Sequence, residues 1–108
     1  MNTDSDILTR LERTIAARAK GDPAASYVAR LHAGGVPLMA RKLGEEAVET
    51  VVAALGDDRR ELIGEAADTI FHLLVLLSAK GVAMRDVTAE LAAREGLSGL
   101  DEKAMRNP

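Results

Sequence analysis

Between Ile70 and Leu77 the chain reads Ile-Phe-His-Leu-Leu-Val-Leu-Leu, apolar at every position but His72. This stretch closes a helical pattern over residues 59–80, which Gly81 stops. A helix apolar on nearly all sides must be buried on most faces. One subunit of 108 residues can hardly supply that cover. The segment is therefore expected to be the central helix of a bundle and part of an oligomer interface. Ala, Leu, Glu and Arg dominate elsewhere, β-branched runs are nearly missing and glycines act as punctuation. The fold class predicted is all-α, a bundle of four to five helices in one domain, 1–96, with a C-terminal tail, 97–108, that shows no sustained period.

The apolar spacing of Ile7, Leu8, Leu11, Ile15 and Ala19 predicts a first helix over 6–20, with Ser5 or Asp4 as its N-cap. Gly21-Asp22-Pro23 is a turn, and a short helix over 24–33 ends at Gly34-Gly35. Pro37 suits the first turn of a helix running to Leu55. Gly56-Asp57 turns the chain, Asp57 or Asp58 caps the apolar helix, and a last helix covers 86–94.

Composition excludes several functions. Without cysteine there is no disulfide scaffold, thiolate-bound zinc, iron–sulfur cluster or cysteine nucleophile. Tyr27 and Phe71 are the only aromatic residues, too few for a single-strand stacking platform. A formal charge of −3 argues against nucleic acid as a partner. No uninterrupted apolar run reaches the ~20 residues of a membrane span. The start, Met1-Asn2-Thr3-Asp4, is polar and acidic, unlike a signal peptide, so a cytoplasmic location away from membranes is expected.

The chemistry lies in two acidic patterns, Glu45-Glu46-x-x-Glu49 and Glu61-x-x-x-Glu65-x-x-Asp68. Spacings of three and four put Glu46 beside Glu49 and Glu65 beside Asp68. The turn at Gly56 makes the two helices antiparallel, so the pairs can face each other. Carboxylates brought together without cations repel and resist desolvation. Magnesium, or manganese, relieves both through hard oxygen ligands and keeps positions open for substrate phosphates. The bland reading, solvated helix faces, weakens because the acidic stripe continues through Asp68 and His72 into the most apolar stretch. Neither histidine completes a Glu-x-x-His motif, which sets a di-iron bundle aside. Gly44, inside the first acidic helix, permits either a close approach or a tolerated kink.

Lys42-Leu43-Gly44-Glu45-Glu46-Ala47-Val48-Glu49 followed by Glu65-Ala66-Ala67-Asp68 resembles the pattern of MazG-like all-α nucleotide pyrophosphohydrolases. With Ser26-Tyr27-Val28-Ala29-Arg30-Leu31 and the run from Asp68 to Leu77, the chain is similar over residues 7–91 to the phosphoribosyl-ATP pyrophosphohydrolase family. That resemblance implies magnesium-dependent hydrolysis of phosphoribosyl-ATP to phosphoribosyl-AMP and pyrophosphate, the second step of histidine biosynthesis, by a homodimer. Carried over, the metal ligands are Glu46, Glu49, Glu65 and Asp68, and Glu45 orients water or accepts its proton. Phe71 stands where that family more often has tyrosine, and Ala83 is a poor cap for the last helix.

A substrate with several negative charges needs cations placed locally. Lys42, on the helix face of Glu45 and Glu46, is a candidate for a phosphate oxygen, its alternative being an exposed ion pair with Glu46. Ser26, Tyr27 and Arg30 are candidates for the ribose phosphate or the base, with simple packing as the alternative for Tyr27. His72 is expected to be a buried, hydrogen-bonded histidine. Two rival functions use the same residues: a housecleaning enzyme that removes aberrant or deoxynucleoside triphosphates, and a non-catalytic helical dimer.

Overall fold

The computed structural model describes residues 3–97 together with Gly99, Lys103 and Arg106. Its helices are α1 (Thr3–Arg18), α2 (Tyr27–Ala33), α3 (Gly35–Leu55), α4 (Arg59–Ala79) and α5 (Met84–Ala93), and no strand occurs among the described residues. The all-α expectation and the order of the helices hold.

The boundaries depart where capping overrides apolar spacing. α1 begins at Thr3, so Asp4 and Ser5 lie within it and not at its cap position. Apolar period marks the buried face of a helix, and a polar first turn leaves no such mark. α2 begins at Tyr27 and not at residue 24. Asp22 holds the preceding turn, its Oδ1 accepting from the Ala24 amide at 2.9 Å and its carbonyl from Ala25 and Ser26. Ser26 then caps the helix, Oγ accepting from the Ala29 amide at 3.2 Å. Asp58 caps α4 through the amides of Arg60 and Glu61 at 3.0 and 3.1 Å. α5 starts at Met84 despite Ala83 at its cap. The Met84 amide donates to Glu12 Oε2 of α1 at 2.6 Å, and Asp86 Oδ2 accepts from Ala83 at 3.0 Å. A distant carboxylate thus replaces the missing cap.

α3 and α4 form an antiparallel hairpin with the largest helix–helix contact, α1 lies on α4, and α2 bridges α1 and α3. The core gathers Ile15, Val28, Leu31, Met39, Leu74 and Val75. α4 has the length and mean hydropathy, 1.6, of a membrane span. It is nonetheless the central helix of the bundle, and Glu65 and Asp68 interrupt its apolar surface. The C-terminal tail expected over 97–108 lies largely outside the described residues, which include only Leu97, Gly99, Lys103 and Arg106 of it.

Burial of α4 is only partial within one chain. Val48, Val51, Val52 and Leu55 of α3 and Ile63 and Ile70 of α4 are between 44% and 84% exposed. A face of six large apolar side chains on one hairpin is more than scattered surface hydrophobes explain.

Candidate metal centre and adjoining cavity

The hairpin brings the two acidic patterns together. Carboxylate oxygens of Glu46, Glu49 and Glu65 lie within 4.8 Å of one another. Glu46 Oε2 and Glu65 Oε2 are both buried without a hydrogen-bond partner. Buried polar atoms normally find partners, so two orphaned carboxylate oxygens aimed into one cluster call for a ligand. A hydrogen bond with the Glu49 carboxyl, then desolvation and the charges of Glu49, Glu46 and Asp68, push the Glu65 carboxyl up to about 7. Desolvation, followed by Glu49 and Asp68, raises Glu46 as well, against a lowering influence from His72. The all-oxygen donor set suits magnesium or manganese.

Asp68 lies one helical turn beyond Glu65, outside the 4.8 Å group, yet its charge acts on Glu46 and Glu65. Glu45 faces away from the cluster. Its carboxylate sits 3.5 Å from Arg41 Nε and 3.5 Å from Lys42 Nζ. Lys42 is thus paired with Glu45, three residues on, where the sequence left Glu46 as the alternative. Arg30 donates from Nε to the Pro23 carbonyl at 3.2 Å, tying down the turn before α2. Among the described residues, and apart from its own helix backbone and chain neighbours, nothing comes within 4 Å of a Cβ built on Gly44, so no close approach by them requires that glycine.

Thr50 and Thr69 join the hairpin at the acidic cluster. Thr50 Oγ1 donates to the Glu46 carbonyl at 2.9 Å, Thr69 Oγ1 reaches the Glu65 carbonyl at 3.0 Å, and the two hydroxyls lie 2.8 Å apart. Two hydroxyl protons serve three short contacts, and either threonine can be the donor between the two hydroxyls. Each threonine bonds the backbone turn that carries a cluster carboxylate. Their position four residues after Glu46 and Glu65 was the available signal, and the sequence reading did not use it.

His72 is buried and bonded on both nitrogens. Nδ1 lies 2.7 Å from the Asp68 carbonyl, an acceptor, and so carries a proton. In the neutral imidazole Nε2 then accepts from the Tyr27 hydroxyl, 2.8 Å away. Tyr27 also stacks on Phe71, with ring centroids 6.1 Å apart. Its ring is 44% exposed and borders a cavity of about 380 Å³. Ser26 lines the same cavity, and so do Thr14 and Arg18 of α1, neither of which the sequence reading singled out.

A profile of the phosphoribosyl-ATP pyrophosphohydrolase family matches residues 8–95. The chain belongs to that family. A phosphoribosyl-ATP pyrophosphatase of Erythrobacter litoralis is 65% identical over 106 residues, covering 98% of this chain and 98% of the relative. The protein of the same name from Novosphingobium aromaticivorans is 64% identical over 102 residues, 94% of this chain and 95% of the relative. That of Paramagnetospirillum magneticum is 55% identical over 106 residues, 98% and 97% of the two chains. The similarity spans both acidic patterns, the Ser26–Tyr27 segment and the apolar helix that brings them together. Within this phosphoribosyl-ATP pyrophosphohydrolase family member, α3 and α4 carry the acids, while α1 and the turn before α2 shape the neighbouring cavity.

Proposed function

We propose that the chain hydrolyses phosphoribosyl-ATP to phosphoribosyl-AMP and pyrophosphate, the second step of histidine biosynthesis, in the cytoplasm. The observation that carries this reading is the pair of orphaned oxygens of Glu46 and Glu65 converging with Glu49 in a chain of this family. Glu46, Glu49, Glu65 and Asp68 would hold magnesium, with manganese as a chemical equivalent. When bound, the ion supplies the positive charge that a triphosphate and a departing pyrophosphate need, and it activates water.

The chain's own residues supply orientation. The hairpin sets the distance between the two acidic pairs, and the Thr50–Thr69 contact holds the backbone turns of Glu46 and Glu65 in register. Lys42 receives a phosphate oxygen on leaving its 3.5 Å pair with Glu45. Glu45, which also pairs with Arg41 at 3.5 Å, takes the proton of the attacking water on turning from both cations toward the cluster. Ser26 and Tyr27 serve the phosphoribosyl side of the substrate, and Arg30, through its bond to the Pro23 carbonyl, supports the turn that leads into them. The exposed apolar face of α3 and α4 meets a second copy in a homodimer.

Pyrophosphate release from phosphoribosyl-ATP, measured against a panel of ordinary and deoxynucleoside triphosphates with and without magnesium, tests the reading. Selective, metal-dependent turnover of phosphoribosyl-ATP is expected. Broad triphosphate cleavage would make it a housecleaning enzyme, and no turnover on any substrate would leave a non-catalytic helical protein. Sedimentation showing a monomer at micromolar concentration would remove the dimer.

A further inference from the structure

Phosphoribosyl-ATP has two anionic ends, a triphosphate on one ribose and a phosphate monoester on the other. The acidic cluster accounts for the first. The second must be held by a protein with a formal charge of −3, and by cations that its carboxylates have not already claimed. Arg41 and Lys42 are paired with Glu45, Arg94 with Glu90, and Arg30 is engaged with the Pro23 carbonyl. Arg18 is different. It is the one charged residue lining the cavity beside Tyr27, no carboxylate lines that cavity, and its guanidinium makes no hydrogen bond or ion pair among the described residues.

We infer that this cavity, between α1 and the turn before α2, seats the phosphate monoester of the substrate's phosphoribosyl arm, with Arg18 as the residue that selects for it. The inference rests on the proposed activity and adds the site of specificity. Three donors converge on the cavity. Thr14 and Arg18 are four residues apart on α1 and so share a face. Ser26 Oγ accepts from the Ala29 amide, which leaves its own proton to donate outward. A guanidinium and two hydroxyls match the oxygens of a phosphate monoester.

Tyr27 has a separate part. Because its proton is given to His72 Nε2, the phenolic oxygen can only accept, so it disfavours a phosphate oxygen and suits a ribose hydroxyl. The cavity has the volume of a small-molecule site, about 380 Å³. It also lies on the metal side of α4. Phe71, which lines it, is one helical turn from Asp68, and Tyr27 is linked through His72 to the Asp68 carbonyl. For the site to act, one substrate must span the acidic cluster and the cavity.

The test compares wild type with Arg18→Gln, Arg18→Lys and Thr14→Val, and with Arg13→Gln as a control on the same helix. With phosphoribosyl-ATP and magnesium, Arg18→Gln is expected to raise KM about tenfold to a hundredfold, the weight of a charged hydrogen bond, with a smaller change in kcat. Arg18→Lys should recover part of that loss, and Arg13→Gln should match wild type. An unchanged KM in Arg18→Gln, with wild type active, overturns the inference and leaves the proposed activity standing. A second readout needs no turnover. Ribose 5-phosphate at millimolar concentration, added to the metal-free protein, should shift the amide resonances of Thr14, Ser26 and Tyr27 in wild type and not in Arg18→Gln. Absence of those shifts in wild type also overturns it. Shifts in a protein that fails to hydrolyse phosphoribosyl-ATP would retain the pentose phosphate site and remove the proposed reaction.

Discussion

Over residues 69–79, α4 packs in the core with Ile15, Val28 and Leu31, and its Leu74 and Val75 are 2% and 0% exposed. Over residues 59–68 the same helix leaves Ile63 half exposed and holds Glu65 against Glu46 and Glu49 across the hairpin. The first of these regions leaves Ile70 partly exposed but buries Leu74, Val75 and a His72 bonded on both nitrogens. The second keeps the unpartnered Glu65 Oε2, close to the equally unpartnered Glu46 Oε2 of α3, and a Glu65 carboxyl pushed up to about 7. The buried core and the carboxylate cluster thus occupy different halves of one helix. The unsatisfied half persists because the satisfied half, with α1 and α2, supplies the stability.

The strongest way to break this comparison is to remove a cluster acid. Glu49→Gln and Asp68→Asn are expected to lower magnesium-dependent turnover about a hundredfold to a thousandfold, the scale for losing one electrostatic element of a site. The metal-free protein should lose no thermal stability, since the substitution also removes repulsion. Near-normal kcat/KM in either variant would show that the acids do not form the centre.

In the opposite half, Leu74→Ala should destabilise the fold by about 2–5 kcal/mol through lost burial and a residual cavity. Chemical denaturation of the two sets of variants measures the contrast directly, and a neutral Leu74→Ala would dissolve it. Glu12→Gln tests the cap borrowed by α5 and is expected to cost about 1–2 kcal/mol. Amide exchange at Met84 should report the loss locally.

The raised carboxyls give the cluster a pH signature. Glu65 holds its proton in the folded state up to about 7, whereas the unfolded chain releases it near the ordinary 4.5. Between those values the folded state binds more protons, so this contribution to stability is full below 4.5 and is lost as pH rises towards about 7. Glu46 acts in the same direction. Magnesium competes with the held protons. The rise in melting temperature on adding the ion should therefore be larger at about pH 8 than at about pH 6. Equal shifts would place the ion elsewhere. The smallest effect is at Gly44, where a methyl group meets open space within the chain. Gly44→Ala should gain about 0.8–1 kcal/mol of stability, and a loss measured by denaturation would place a second molecule against α3.

Periodicity and spacing were enough for the helical class, the antiparallel hairpin and the convergence of Glu46, Glu49 and Glu65, because each is a consequence of local geometry along one or two helices. Asp58 at 59 is a cap that residue type announces, whereas Ser26, the cap at 27, falls inside the helix that the sequence predicts from 24. Contacts between distant segments left no such trace. Glu12 meets Met84 across 72 residues of chain, and Tyr27 meets His72 across 45. Side-chain direction was equally hidden at Glu45. Its neighbour Glu46 turns into the hairpin while Glu45 turns out to Arg41 and Lys42, a difference of about 100° around the helix that matters only once α4 lies on one side. Arg18 carries no motif at all. It acquired a role when the packing of α1 on α4 placed a free guanidinium beside Ser26 and Tyr27, since a cavity belongs to several segments at once and a pattern in the chain describes only one.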